Sequence, residues 1–336
     1  MKAARLTAFG VPREVVQCAD VADVGEPAFG EVVIEVEACS INPADLLIIQ
    51  GRYPSDIRPP APLGIEGAGR VVAIGGGVGD VAVGDKVMSL DRANWVQKLK
   101  LKAEQVIKLP EGVDILQAGM LKANPASAQL MLRDYVDLAP GDWVIQNAAN
   151  SGVGVNLIRL ARARGIRTVN VVRRESLIQP LKAIGADVVL IDGDDLAERV
   201  RAETGGASIP LAIDAVAGPA TLRLADCLAD GGTVVNFGML SGQPCQISPA
   251  QIFFRSITLT GFWLAKMMRS MPTSEIRALY TDLAGRLADG TLGVEIEATY
   301  TLDRISEAME HAGREGRNGK ILLTPNEPIR TETGSA

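Results

Sequence analysis

The sequence predicts an α/β protein in which a doubly wound parallel sheet follows a β-rich domain. Three observations carry this expectation. Short β-branched runs bounded by Gly, Pro or Asp fill roughly the first 115 residues. From about residue 120 strand patterns alternate with helical ones, the rhythm of βαβ units. A turn bearing glycines joins the first strand of that series to its helix.

The elements follow in order. EVVIEVEA (31–38), GRVVAIG (69–75), GDKVMSL (84–90) and QVIKLP (105–110) read as strands. The cluster GGGVGD (75–80) leads into alternating valines rather than a helix, so it reads as a turn and not as a phosphate loop. WVIQNAA then opens the alternating series, and SGVGVNLIRLARARG is its helix, ending on Gly165. RTVNVV, DVVLID, IPLAIDAVA, GTVVNFG and SITLTGFW supply five more strands, with LIQPLKAIGA, LAERVRAET and TLRLADCLA between them. The helical pattern IRALYTDLAGRLADG and the strands EATYTL and GKILL are expected to return to the first domain. The expected division is 1–118 completed by 266–326, a dinucleotide-binding domain over 119–265, and a disordered tail over 327–336.

At 336 residues the chain suits two domains. Its hydrophobic fraction of 47% and its 35 glycines describe a turn-rich globular protein. No stretch approaches the ~20 apolar residues of a membrane span. The opening MKAARLTAFGVPREVV lacks a signal-peptide core, which makes the cytoplasm the expected compartment. A net charge of −6 argues against nucleic acid as the main partner. Cys18, Cys39, Cys227 and Cys245 show no CxxC spacing and read as free thiols. His311, the single histidine, reads as a satisfied surface residue.

VIQNAANSGVGVNLIRLA places small residues at a strand-to-helix junction, although Ala149 stands near the expected early glycine of GxGxxG. Small residues there let the backbone approach a pyrophosphate, and the helix N-terminus supplies free N–H groups. About twenty residues on, NAD-binding folds place an acid that accepts from the ribose 2′-OH. This chain has Arg173 and Arg174 instead. A guanidinium matches a phosphate in charge and geometry, so the expected cofactor is NADPH, held by its 2′-phosphate.

The chain resembles the medium-chain dehydrogenase/reductase superfamily, and within it the zinc-free 2-enoyl thioester reductases of the mitochondrial type. The patches that carry the resemblance are INPADLLIIQGRYP (41–54), NPASAQLML (124–132), VIQNAANSGVG (144–154), VNVVRR (169–174) and GFWL (261–264). The resemblance implies a GroES-like catalytic domain plus a Rossmann domain, and a homodimer. Zinc-dependent relatives carry a cysteine ligand near the place of Asn42 and a histidine at that of Ile65, so no zinc is expected. Tyr53 matches the tyrosine of QGxY, a proton donor or positioner; Asn42 and Trp95 are expected beside it, Trp95 in the pocket wall. Asn124, Asn150, Ser151, Gly152, Val153 and Gly154 are expected at the cofactor, with Arg173, Arg174, Gly238, Met239, Phe262, Trp263, Leu264 and Lys320. The segment LDRANWVQKLKLKAE departs from the family's glycine-rich lead-in, which bears on the natural substrate.

The reaction these readings imply is hydride transfer to the β-carbon of an activated alkene and protonation of the α-carbon. The substrate is expected to be an enoyl thioester, an enone or a quinone. Two other readings stay open: an NADPH:quinone or alkenal oxidoreductase, and a non-catalytic NADPH-binding protein. Lys98, Lys100 and Lys102 form either a solvated face or a receptor for CoA phosphates or an acyl carrier. Met267, Met268 and Met271 either floor an acyl pocket or pack in the core.

Overall fold

In the computed structural model, residues 1–326 are described, and the tail expected over 327–336 lies outside them. The chain divides into two units, one formed by Met1–Ala123 with the segment from Thr273, the other by Asn124–Pro272.

The first unit begins with β1 (Lys2–Leu6), α1 (Pro12–Val15) and β2 (Val16–Asp20), then runs into the long strand β3 (Glu31–Ser40). Helix α2 (Pro43–Ile49) follows, then β4 (Ala61–Pro62), β5 (Gly67–Ile74), β6 (Lys86–Ser89), β7 (Lys98–Lys102), β8 (Val106–Lys108) and α3 (Ile115–Ala118). β3 pairs antiparallel with both β5 and β7, which explains its nearly continuous run of buried residues. The β3–β5 pairing shifts register near Val36, and there Gly69 is required, because a Cβ would lie 1.9 Å from Glu35 O. Val32, Ile34, Val36, Leu63 and Trp95 are among the residues of this unit's core.

The second unit runs through α4 (Asn124–Asp134), β9 (Trp143–Gln146), α5 (Gly152–Ala163), β10 (Arg167–Val172), α6 (Ile178–Ala183) and β11 (Val188–Ile191). It continues through α7 (Leu196–Thr204), β12 (Leu211–Asp214), α8 (Pro219–Cys227), β13 (Thr233–Asn236), β14 (Thr258–Gly261) and α9 (Leu264–Ser270). Its six strands pair in parallel in the order β11-β10-β9-β12-β13-β14. This is the doubly wound arrangement of dinucleotide-binding folds, whose ligands bind at the carboxyl edge where the strand order reverses, here around β9 and β12.

The chain then returns to the first unit as α10 (Thr273–Ala288), β15 (Ile296–Tyr300), α11 (Ile305–Gly313) and β16 (Lys320–Leu323). β16 pairs with β3, setting Leu322 opposite Ser40 and Leu323 opposite Cys39.

Candidate active site

In the second unit the turn after β9 leads directly into α5. Ser151 caps the helix, its Oγ accepting from Gly154 N at 3.1 Å. A Cβ on Gly154 would lie 2.5 Å from Ala149 O, so only glycine lets the helix begin this close to the turn. A Cβ on Gly152 would lie 3.1 Å from the Asn124 side chain, which places Asn124 against the same turn. Val153 is buried, and Asn150, Ser151 and Gly152 are half-buried. A turn of small residues leading onto a helix N-terminus is a seat for a pyrophosphate.

The paired arginines stand beside this turn. Ala149 N donates to Val171 O at 3.3 Å, so the turn is tied to the end of β10 two residues before Arg173. Arg173 is exposed and Arg174 half-buried. The acid at the end of the neighbouring strand, Asp192, accepts from Arg223 through both oxygens at 2.7 and 2.5 Å. That carboxylate is therefore committed to another guanidinium.

Sequence reasoning missed Asp214, the residue that joins the ends of three strands. Its Oδ1 accepts from Asn147 Nδ2 at 2.6 Å and from the N–H groups of Val216 and Ala217. Its Oδ2 accepts from Thr221 Oγ1 at 2.6 Å and Asn236 Nδ2 at 3.1 Å. The available signal was an acid closing an otherwise apolar strand, LAID. Asn236 also donates to Gly238 O, and at Gly238 a Cβ would lie 2.5 Å from Ala215 O. Met239 beyond it is 48% exposed. Phe262 is buried and bonded through its N–H to Asn236 O; Trp263, under the Arg269 guanidinium, precedes Leu264 at the start of α9. No residue of α9 is buried, so Met267 and Met268 do not belong to a packed core.

The first unit holds Tyr53. Helix α2 is prolonged by the bonds Gln50 N to Leu46 O, Gly51 N to Ile48 O and Arg52 N to Leu47 O. Gly51 takes φ 69°, the left-handed conformation that ends a helix, and turns the chain into Tyr53. Tyr53 is half-buried and packs against the core of this unit.

Asn42 sits at the other end of α2 in a buried polar cluster. Its Nδ2 donates to Glu66 Oε1 at 2.7 Å and Ser40 Oγ at 2.9 Å, and its Oδ1 accepts from Lys320 Nζ at 2.6 Å. Lys320, expected against the cofactor, is thus found inside this cluster and only 8% exposed. Trp95, expected in a pocket wall, is 1% exposed; its ring fills the core and its Nε1–H donates to Ser40 O at 3.1 Å. Burial pushes the Asp45 carboxyl up to about 7, against the N–H groups of Asn42 and Ile65 that it accepts from. Burial lowers the Lys122 ammonium to about 8, although its Nζ donates to three carbonyls, and lowers that of Lys320 as well.

Other expected residues have local partners. Lys98 and Lys102 pair with Asp23 and Glu31, and Lys100 donates to Glu26 O. His311 lies between Tyr300 OH at 2.9 Å and Glu297 Oε1 at 2.8 Å.

A family described as alcohol dehydrogenase GroES-like domain matches residues 28–119, and one described as zinc-binding dehydrogenase matches residues 152–281. The mitochondrial enoyl-[acyl-carrier-protein] reductase of Dictyostelium discoideum is 34% identical over 301 residues, which is 87% of this chain and 86% of the relative. The chain belongs to the enoyl-reductase branch of the medium-chain dehydrogenases/reductases. Within that family, the Etr1p complex with NADP and crotonyl-CoA superposes with a TM-score of 0.86 at 25% identity, covering 96% of this chain and 99% of the other. A protein from Bacillus thuringiensis studied as an NADPH:quinone reductase gives a TM-score of 0.88 at 26% identity, covering 97% and 99%.

The zinc of other family members does not fit the residues present. At the two positions expected to correspond to zinc ligands, the Asn42 amide is engaged by Glu66, Ser40 and Lys320 and the Ile65 side chain has no ligand atom. Among the described residues no group of three or more His, Cys, Asp or Glu side chains is placed to hold a metal.

Proposed function

We propose that this member of the enoyl-reductase branch reduces the carbon-carbon double bond of a 2-enoyl thioester with NADPH. The observation that carries the reading is the pair Arg173–Arg174, following a strand whose end is bonded to the turn of small residues before α5, in a chain 34% identical to an enoyl reductase. When bound, NADPH supplies a hydride for the β-carbon of the alkene. The residues that would hold it are the turn Asn150–Gly154 with Asn124, the two arginines, and the segments Gly238–Met239 and Phe262–Leu264. Backbone N–H groups at the start of α5 would bind the pyrophosphate, and the guanidinium groups would select the 2′-phosphate.

Tyr53 is the proton donor in this reading. As electron density arrives on the thioester, its α-carbon becomes basic, and a phenol O–H is an acid matched to that base. The α2 helix and Gly51 give the ring a fixed backbone support. Trp95 and Asn42 support the donor from the core rather than touching substrate. The carrier of the acyl group is CoA or an acyl carrier protein. The proposed assembly is a homodimer and the proposed compartment the cytoplasm, in keeping with four free thiols.

NADPH oxidation with crotonyl-CoA, a simple enone and a benzoquinone tests the reading. Turnover on crotonyl-CoA with a higher kcat/KM than on the quinone is the expected result. Activity on the quinone alone would replace the thioester reading by the quinone one, and no turnover on any of the three would leave only a binding protein.

A further inference from the structure

The proposed chemistry uses none of the three ionisable side chains buried together at the start of α2. Glu66 has no exposed surface, Asp45 is 1% exposed and Lys320 8%. Desolvating each charge costs several kcal/mol, and apolar side chains of the same volume commonly fill such a space without loss of stability. Stability alone therefore does not account for them. Their hydrogen bonds converge on a single residue. The Asn42 amide donates to Glu66 and Ser40, accepts from Lys320, and its backbone N–H reaches Asp45 Oδ2 at 2.8 Å. Ser40 closes the ring by donating to Glu66 Oε1. The second oxygen of Glu66 accepts from Ala123 N at 2.7 Å, the residue before Asn124. With both amide protons and the carbonyl engaged, Asn42 has one orientation. From Asn42 the backbone bonds of α2 run on as far as Arg52, the residue before Tyr53.

We infer that Glu66 and Lys320 are positioning residues for the reduction, clamping the Asn42 amide so that α2 and the turn carrying Tyr53 are held in one place. The inference rests on the reduction proposed above, because the rate it concerns is the one Tyr53 serves. This buried network then gives this part of the fold its rigidity.

The test is a swap. Glu66→Gln turns an acceptor into a donor facing the Asn42 amide, while Asn42→Asp with Glu66→Gln moves the carboxylate across the same hydrogen bond and keeps the net charge. For Glu66→Gln, kcat per folded molecule should fall about ten- to a hundredfold, the scale of small misplacements, with NADPH affinity unchanged. The double variant should recover most of that loss. Unchanged kcat in Glu66→Gln with only a lower Tm, or a double variant no better than the worse single one, would overturn the inference. If Glu66→Gln does not fold, Ser40→Ala removes the bridging hydroxyl and leaves every charge; a lowered kcat supports the clamp and an unchanged kcat refutes it. Assaying crotonyl-CoA and a quinone together separates the two failures, since a wild type active on the quinone alone ends the thioester reading while its quinone rate still reports on the clamp.

Discussion

Arg173 and Arg174 follow β10 at the carboxyl edge of the parallel sheet, where the turn before α5 is bonded to the same strand. Each charge-assisted contact to a phosphate contributes roughly 1.5–3 kcal/mol, or about ten- to a hundredfold in affinity. Replacing both by alanine should weaken NADPH binding far more than NADH binding, measured by fluorescence titration; equal losses would return the pair to a structural role. Asp45 makes a prediction about pH. Its folded-state value is raised from 3.8 to about 7, so the native state holds the extra proton and stability is lost as pH rises through that window. Asp45→Asn removes this slope, and the Tm of wild type minus that of the variant should fall between pH 4.5 and 8; a constant difference would refute the buried-charge account. Of these residues the sequence reveals the arginines, because two adjacent charges after an apolar strand stand out locally. The Asn42 cluster is illegible there, since its partners Glu66 and Lys320 are 24 and 278 positions away.

Strand β14 forms an outer edge of the parallel sheet and pairs with β13 on one side. Just before it, Ile252, Phe253 and Phe254 are 50%, 62% and 76% exposed, apolar surface that a second copy could cover. Light scattering should give twice the chain mass, and Phe253→Glu with Phe254→Glu should return the protein to a single chain; a wild-type monomer would remove the dimer from the account. The central strands of the parallel sheet are legible in the sequence because strands covered on both faces are continuous apolar runs, as in WVIQ and LAID. β1 and β2 escape notice, since KAARL and VQCAD carry too few apolar residues for a clear period and depend on pairing with each other. Helix α2 is equally obscure from composition, because PADLLII is only seven residues long and its start is fixed by Asn42 and Asp45 rather than by a periodic face.

At the scale of the whole chain, the strand order of the second unit and the return of β16 to β3 follow from topology that no local pattern displays. The alternating rhythm implies a parallel sheet, and right-handed crossovers leave few orders open to it. Substrate class is the least legible property: within LDRANWVQKLKLKAE the structure turns Trp95 into the core and the lysines onto neighbouring acceptors. In the proposed reaction, NADPH-dependent reduction of an enoyl thioester is completed by a proton from Tyr53. Tyr53→Phe keeps the ring and its packing while deleting the hydroxyl, the only hydrogen-bonding group of the side chain. The kcat of this variant on crotonyl-CoA, measured beside NADPH affinity and Tm, is the most direct test. If Tyr53 gives the proton, kcat falls ~10²-fold or more with binding and stability intact, the scale of general acid catalysis; a variant that turns over crotonyl-CoA at the full wild-type rate would remove Tyr53 from the reaction.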